Sequence, residues 1–193
     1  MNEILKAMEE RRSCRSFLPE QLKESDLEQI LRAGTFAATG MGRQSPKIVV
    51  LQKPEDIAAL ERMNAAVLGN PDGHPFYGAP TVCVVLAAAD AFTNVEDGSL
   101  VMGNLMLAAW SLGVGACWIH RAREEFASPE GKALLKKWGV EGDYIGVGHC
   151  ILGYPTGEYR PAKPRKSDYI LRVKKCLPNP KIAVYYDWKS ERR

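Results

Sequence analysis

Residues 97–112 limit how this chain can fold more than any other stretch. They read as a helix that is apolar nearly all round and carries the small residues Gly98, Ser99, Gly103, Ala108 and Ala109. A helix without a polar face belongs in the interior, and its small residues allow close approach by neighbours. The 193 residues are therefore expected to form one domain around this helix, long enough to bury a substantial core. The longest apolar run, residues 100–114, is interrupted by Gly103, Asn104, Ser111 and Gly113, so no membrane-spanning segment is expected.

Helices and short strands alternate around this element. Ile4, Leu5 and Met8 mark the inner side of a first helix. Ser25-Asp26-Leu27-Glu28 carries a capping-box signal, and Leu27, Ile30 and Leu31 follow it to a stop at Gly34. Residues 37–46 are small, glycine-bearing and polar, hence a loop, and 47–51 form a buried-type strand. Ile57, Leu60, Met63 or Asn64, and Val67 give 55–68 a helical spacing. A turn-rich segment precedes a strand over 81–88, and Gly113 and Gly115 lead into another over 116–119. Ser128 as cap and Pro129 in the first turn open a helix that ends near Trp138 and Gly139. The last clear strand, 144–152, is closed by Gly153-Tyr154-Pro155, and a strand-like piece at 182–186 stands apart in the tail. These elements describe a single α+β layered domain without internal repeats.

Several function classes fall away. The formal net charge of +3 gives no reason to expect a bulk polyanion partner. Five scattered cysteines (Cys14, Cys83, Cys117, Cys150 and Cys176) form no Cys-x-x-Cys pair, which argues against a disulfide scaffold or zinc knuckle and suits a reducing compartment. The mixed charge of residues 2–15 is unlike a signal peptide, so a cytoplasmic protein is expected. His74, His120 and His149 lack ligand-like spacing. His149-Cys150 resembles the start of a phosphate-loop thiol, but Thr156 stands where its arginine belongs. Gly113-Val114-Gly115 and Gly146-Val147-Gly148 each lack the third glycine of a dinucleotide fingerprint.

What remains is anion binding. Arg11-Arg12-Ser13-Cys14-Arg15-Ser16-Phe17 packs three arginines and two serines into seven residues, a grip suited to a compact dianion such as phosphate. A second basic group, residues 160–166, lies in a proline-punctuated stretch. Anion binding with no evident side-chain nucleophile points to a cofactor enzyme, in which the bound molecule supplies the chemistry.

Arg-Arg-Ser-x-Arg-x-Phe after a short first helix resembles the FMN-phosphate motif of the nitroreductase family. Arg43-Gln44-Ser45-Pro46 is similar to the end of that family's small-residue loop, and Tyr77-Gly78-Ala79-Pro80-Thr81 to the lead-in of its next strand. Residues 97–119, Leu152-Gly153-Tyr154-Pro155 and Lys163-Pro164-Arg165 continue the resemblance, which spans residues 1 to about 175. It implies a mostly antiparallel sheet flanked by helices in a domain-swapped homodimer, with FMN at the interface and NADH or NADPH as donor. The FMN-binding domain would cover 1–177, and the tail 178–193 would wrap the partner through Ile182, Val184, Tyr185 and Trp188.

By position in that pattern, Arg11, Arg12 and Ser13 contact the phosphate and ribityl chain, and Lys163 and Arg165 close on the same phosphate. Arg15 lies near the flavin N1 and O2, Asn64 at the pyrimidine edge, and Gln44 and Ser45 face the flavin across the dimer. Backbone around Trp118, Ile119, His120 and Arg121 sits near N5. The implied reaction is ping-pong hydride transfer to a small nitroaromatic, quinone or similar acceptor. Gly42 and Lys47 depart from the family's usual Asn and aromatic on the substrate side, which leaves the acceptor open. Blander roles stand beside these: Arg12 as a solvated helix end, Asn64 as a surface amide, Trp118 as core. Other readings are an FMN-binding module without turnover, a reductive dehalogenase or flavin-consuming relative, and nucleic-acid binding, which the sparse aromatics around the arginines disfavour.

Overall fold

Four strands form one antiparallel sheet in the order β1-β2-β4-β3: β1 (Pro46–Leu51), β2 (Thr81–Ala88), β3 (Gly115–Ile119) and β4 (Tyr144–Gly153). The structure, a computed structural model, describes residues 2–173. The chain divides into a first unit up to Ala162 and a second that begins at Lys163. Six helices accompany the sheet among the described residues: α1 (Glu3–Glu10), α2 (Glu24–Thr35), α3 (Pro54–Leu68), α4 (Asn94–Ser111), α5 (Ala122–Ala127) and α6 (Pro129–Lys137). The expected tail contacts at Ile182, Val184, Tyr185 and Trp188 lie outside the described residues.

Strand alternation divides the core into two layers. Cys83, Val85 and Ala87 of β2 point to α2 and α4, where they meet Leu27, Ile30, Met102 and Leu105. Val82, Val84 and Leu86 point the other way, to Leu60 of α3, Phe126 of α5 and Leu135 of α6. Each such buried side chain contributes roughly 1.5–3 kcal/mol relative to exposure. β2 pairs with β4 from Thr81↔Leu152 to Ala88↔Tyr144, with a bulge between Val85 and Leu86. The bulge turns Val147 toward the α4 side, where it lies against Gly98.

Four expectations need correction. The apolar side of α1 is not an inner side within this chain, for Ile4, Leu5 and Met8 are 61%, 52% and 57% exposed. Nor is α4 covered all round: Val101, Met102 and Leu105 are buried, but Leu100 remains 50% exposed. Ser25 does not cap α2; the helix starts at Glu24 after Lys23, with no side-chain cap. Its start is anchored from a distance instead, because the Tyr154 hydroxyl accepts from Lys23 N–H (3.2 Å) and donates to Asp26 Oδ2 (3.0 Å). Finally, α2 runs past Gly34, which serves as a contact point where a Cβ would collide with Leu105 and crowd Ile48.

Ser128 does cap α6, accepting from Gly131 N–H at 3.0 Å, as its sequence signal predicts. No helix among the described residues is long and apolar enough to cross a membrane. The Gly98 contact yields a test. Gly98→Val forces a branched side chain into Val147 and should cost about 1–3 kcal/mol of unfolding free energy in urea titration. An unchanged midpoint would show that α4 and β4 do not meet this closely.

Candidate functional site

The arginine cluster leaves α1 as an extended strap along the end of the sheet. Arg11 closes α1 through its N–H to Ala7 O, and Ser13 then bridges in parallel to Ala116 of β3. Cys14 N–H donates to Ala116 O at 2.9 Å, Leu18 N–H to Tyr154 O at 2.8 Å, and Phe17 bridges to Pro155 just beyond β4. Buried Cys14 faces Gly115, and its thiol donates to Ser16 O. In an extended chain alternate side chains share a side, so Arg11, Ser13 and Arg15 lie together opposite Cys14.

Electrostatics around Cys117 report the same convergence. Burial pushes its thiol up, while the Arg15 charge, the Ser13 hydroxyl and the Arg11 charge pull it the other way. Burial also takes Cys83 to about 12 and raises Cys150 well above the ordinary thiol range. These three sulfurs are therefore protonated at neutral pH and poor nucleophiles. Arg11 Nη1 is buried and has no hydrogen-bond partner among the described residues. A buried, unpaired guanidinium nitrogen is costly, and an incoming anion would satisfy it. Arg12 stands apart: its Nη1 turns back to Glu9 O and Arg11 O, both at 2.8 Å, as a helix-end residue does. Arg15 is exposed, with its guanidinium carbon 6.0 Å from the Tyr77 ring centre.

The loop holding Gln44 and Ser45 is organised by a buried carboxylate that sequence reading passed over. Asp97, in the first turn of α4, accepts from Gly40 N–H and from the Ser45 hydroxyl, both at 2.9 Å. Burial alone would push this carboxyl up, but the Gly40 N–H, the Ser45 and Thr93 hydroxyls and the Arg43 charge outweigh it and hold it below the ordinary range. Gln44 is exposed and held at φ 51, its N–H on Thr39 Oγ1. Nearby Lys47 lies over the Tyr144 ring, 5.0 Å from its centre.

Asn64 departs from expectation. It is fully buried rather than on the surface, and its amide is spent inside the protein. Nδ2 donates to His120 O (2.9 Å) and to Glu125 Oε1, while Oδ1 accepts from Arg121 Nε (3.0 Å) and Nη2 (2.8 Å). An amide offers two donors and two acceptor sites, so none is left for a ring edge. Glu125 Oε2 in turn meets His149 Nε2 at 2.6 Å. The sequence hides this network, because α5 spans only six residues and His149 stands in an apolar strand. Trp118 is half-buried, Ile119 buried and His120 exposed, on the segment leaving β3. Lys163 and Arg165 belong to the second unit and are exposed there.

Within one chain the strap and the 39–45 loop occupy opposite ends of the sheet. The strap lies at Ala116, beside the Thr81 end of β2, whereas Ser45 O accepts from Ala88 N–H at the other end. Seven residue steps of β2 separate these ends by about 24 Å.

The fold and strap define an α+β protein with an anion-receptive arginine cluster at one corner of its sheet. Residues 8–154 match the model described as the nitroreductase family. An Archaeoglobus fulgidus protein that carries, by name alone, the assignment NADH dehydrogenase/NAD(P)H nitroreductase is 30% identical over 164 residues, 82% of this chain and 88% of that one. The crystal structure of a Bacteroides fragilis nitroreductase with bound FMN aligns at a TM-score of 0.82 and 28% identity, over 90% of this chain and 100% of the other. A Desulfitobacterium hafniense nitroreductase with bound FMN gives 0.81 and 28%, with the same coverage. The chain belongs to the nitroreductase family.

Asp97 supplies a test of the loop. Because its native pKa is lowered, its stabilisation is present above the unfolded value of about 4 and is lost as pH falls through the native value. Asp97→Asn should therefore cost about 1–3 kcal/mol at pH 7. That deficit should shrink in denaturant titrations run below about pH 4. A deficit independent of pH would refute the charge-based anchor.

Proposed function

We propose that this chain is an FMN-dependent oxidoreductase that works as a homodimer and uses NADH or NADPH to reduce a small acceptor such as a nitroaromatic or quinone. The observation that carries the reading is the buried, partnerless Nη1 of Arg11 beside Ser13 and Arg15. That donor set fits a phosphate, whose oxygens match the guanidinium fork. The FMN bound in the two related crystal structures supports the same identification.

In this reading Arg11 and Ser13 hold the phosphate and ribityl chain. Arg12, turned onto the end of α1, acts by fixing the strap. Lys163 and Arg165 are assigned to the phosphate by family resemblance. FMN held there would supply the redox chemistry, hydride transfer from the nicotinamide to an acceptor that follows the donor into the same space. Arg15 contributes positive charge at the ring edge where negative charge gathers on reduction. The strand exit at Trp118, Ile119 and His120 offers backbone groups toward the reactive face, so positioning outweighs side-chain acid–base work.

The separated sheet corners support a second copy of the chain. A ring that rests on the strap of one chain and on Gln44 and Ser45 needs a second chain to supply the loop. The exposed apolar residues of α1 and Leu100 of α4 are the surfaces such a partner would cover. The tail, residues 178–193, is assigned to the partner's surface.

Absorbance of the purified protein, followed by anaerobic titration with NADH and NADPH, tests the reading. Flavin bands that bleach on titration are expected, and their absence after reconstitution with FMN would overturn it. Replacing Arg11 and Arg15 together by alanine should weaken FMN binding by at least about 100-fold, measured by fluorescence titration. Unchanged affinity would place the phosphate elsewhere. Ending the chain at Leu177 should shift sedimentation toward monomer at micromolar concentration; a dimer as tight as the full-length one would remove the tail from the interface.

A further inference from the structure

Asn64, Glu125 and His149 form a polar chain inside an otherwise apolar layer. All three are essentially inaccessible to solvent. His149 is flanked by Phe76 and Phe126, with ring centres 5.3 and 6.2 Å away, and its Nδ1 has no partner among the described residues. With Nδ1 facing no acceptor, the ring proton belongs on Nε2, donated to Glu125 Oε2. Glu125 Oε1 accepts from Asn64. The order of donation is thus fixed along the whole chain, from His149 and Asn64 into the carboxylate and from Arg121 into the amide oxygen.

Such a network is a poor way to stabilise a core. Apolar side chains of similar volume often serve stability equally well, because a buried carboxylate must first be stripped of water. What the network does hold is specific. Its outer end grips the turn between β3 and α5: the His120 carbonyl through Asn64 Nδ2, and the Arg121 guanidinium through two bonds to Asn64 Oδ1. Arg121 has φ 81, a left-handed backbone that a residue with a side chain adopts only under constraint. Room is also tight from behind, since a Cβ on Gly146 would strike Ala122 O at the start of α5.

We infer that Asn64, Glu125 and His149 are positioning residues that set the His120–Arg121 turn against the bound flavin; this rests on the FMN reading above. The inner pair, Glu125 and His149, pins the amide of Asn64 in one orientation. The amide then fixes a peptide carbonyl and a guanidinium at once, and so the direction of the backbone that faces the reactive edge. Loss of the network would let the turn relax toward a right-handed backbone, displacing it without touching the phosphate grip at the strap.

Three measurements on the full chain test this with Asn64→Ala, Glu125→Ala and Glu125→Gln. They are hydrogen exchange of amides 119–122 without FMN, the FMN dissociation constant, and the anaerobic rate of flavin reduction by NADH or NADPH. Asn64→Ala and Glu125→Ala should speed exchange in 119–122 and slow reduction, each by about tenfold or more, while FMN affinity stays within about threefold. Glu125→Gln keeps an oxygen for Asn64 but sets its amide N–H against the His149 Nε2 proton, so it should recover only part of the rate lost in Glu125→Ala. Reduction at the wild-type rate in Asn64→Ala, or unchanged exchange at 119–122, would overturn the inference while leaving the FMN reading intact. Wild-type protein that takes up no FMN would overturn both. Should Asn64→Ala fail to fold, Arg121→Ala at the solvent end of the network carries the same expectations.

Discussion

The hydrogen bond from Cys14 N–H to Ala116 O, with the bridges at Ser13 and Phe17, holds an arginine-rich strap to the end of a hydrophobic sheet. Three arginines within five positions repel one another and favour separate, solvated conformations. Backbone bonds to β3 and to the residues after β4 remove that freedom before any ligand arrives. Cys14 contributes by being small and apolar enough to bury, which turns alternate side chains outward. The strap therefore gives a run of charge a fixed path along the sheet, and Arg11 enters that arrangement with one nitrogen already out of water and without a partner among the described residues.

Buried carboxylates organise the other two parts of the candidate site. Asp97 gathers the 39–45 loop by accepting from a backbone N–H and a serine hydroxyl, and Glu125 organises the β3–α5 turn through Asn64. Both sit where short connections must hold conformations that ordinary side chains avoid, Gln44 and Met41 in one case and Arg121 in the other. A charged acceptor suits that task, since its hydrogen bonds are stronger than neutral ones and fail together when any partner moves. Strained backbone and buried charge thus occur side by side, the one held by the other.

The strands and central helix were legible because their signals are local. β2 matches the predicted 81–88 strand residue for residue, and Ser128-Pro129 placed the start of α6 correctly. Signals failed where long-range contacts decide. The Ser25 capping box was overridden by Tyr154, which lies 128 residues from Asp26 along the chain. Gly34 reads as a helix stop, yet its missing side chain serves packing against α4. α5 is six residues long, too short to show a helical period, and with it went Glu125. Helical spacing places Met63 or Asn64 on the inner side with Leu60, as the buried Asn64 bears out, but no local pattern names the buried groups its amide meets in place of the ring edge that the family resemblance implies.

The exposed apolar surface and the separated corners of the sheet share one physical explanation. A helix as apolar as α4 gains from cover on every side, and α1 presents a hydrophobic side, Ile4, Leu5 and Met8, that the described residues leave exposed. A monomer would leave both in water at a cost proportional to their area. It would also leave the strap and the 39–45 loop about 24 Å apart along β2, too far to act on one small ring. Under the proposed function, pairing two copies removes both difficulties at once: the contact that covers the apolar helices brings the loop of one chain toward the strap of the other. Cofactor retention and dimer stability would then be coupled free energies, each ligand site being complete only when the apolar surfaces are covered.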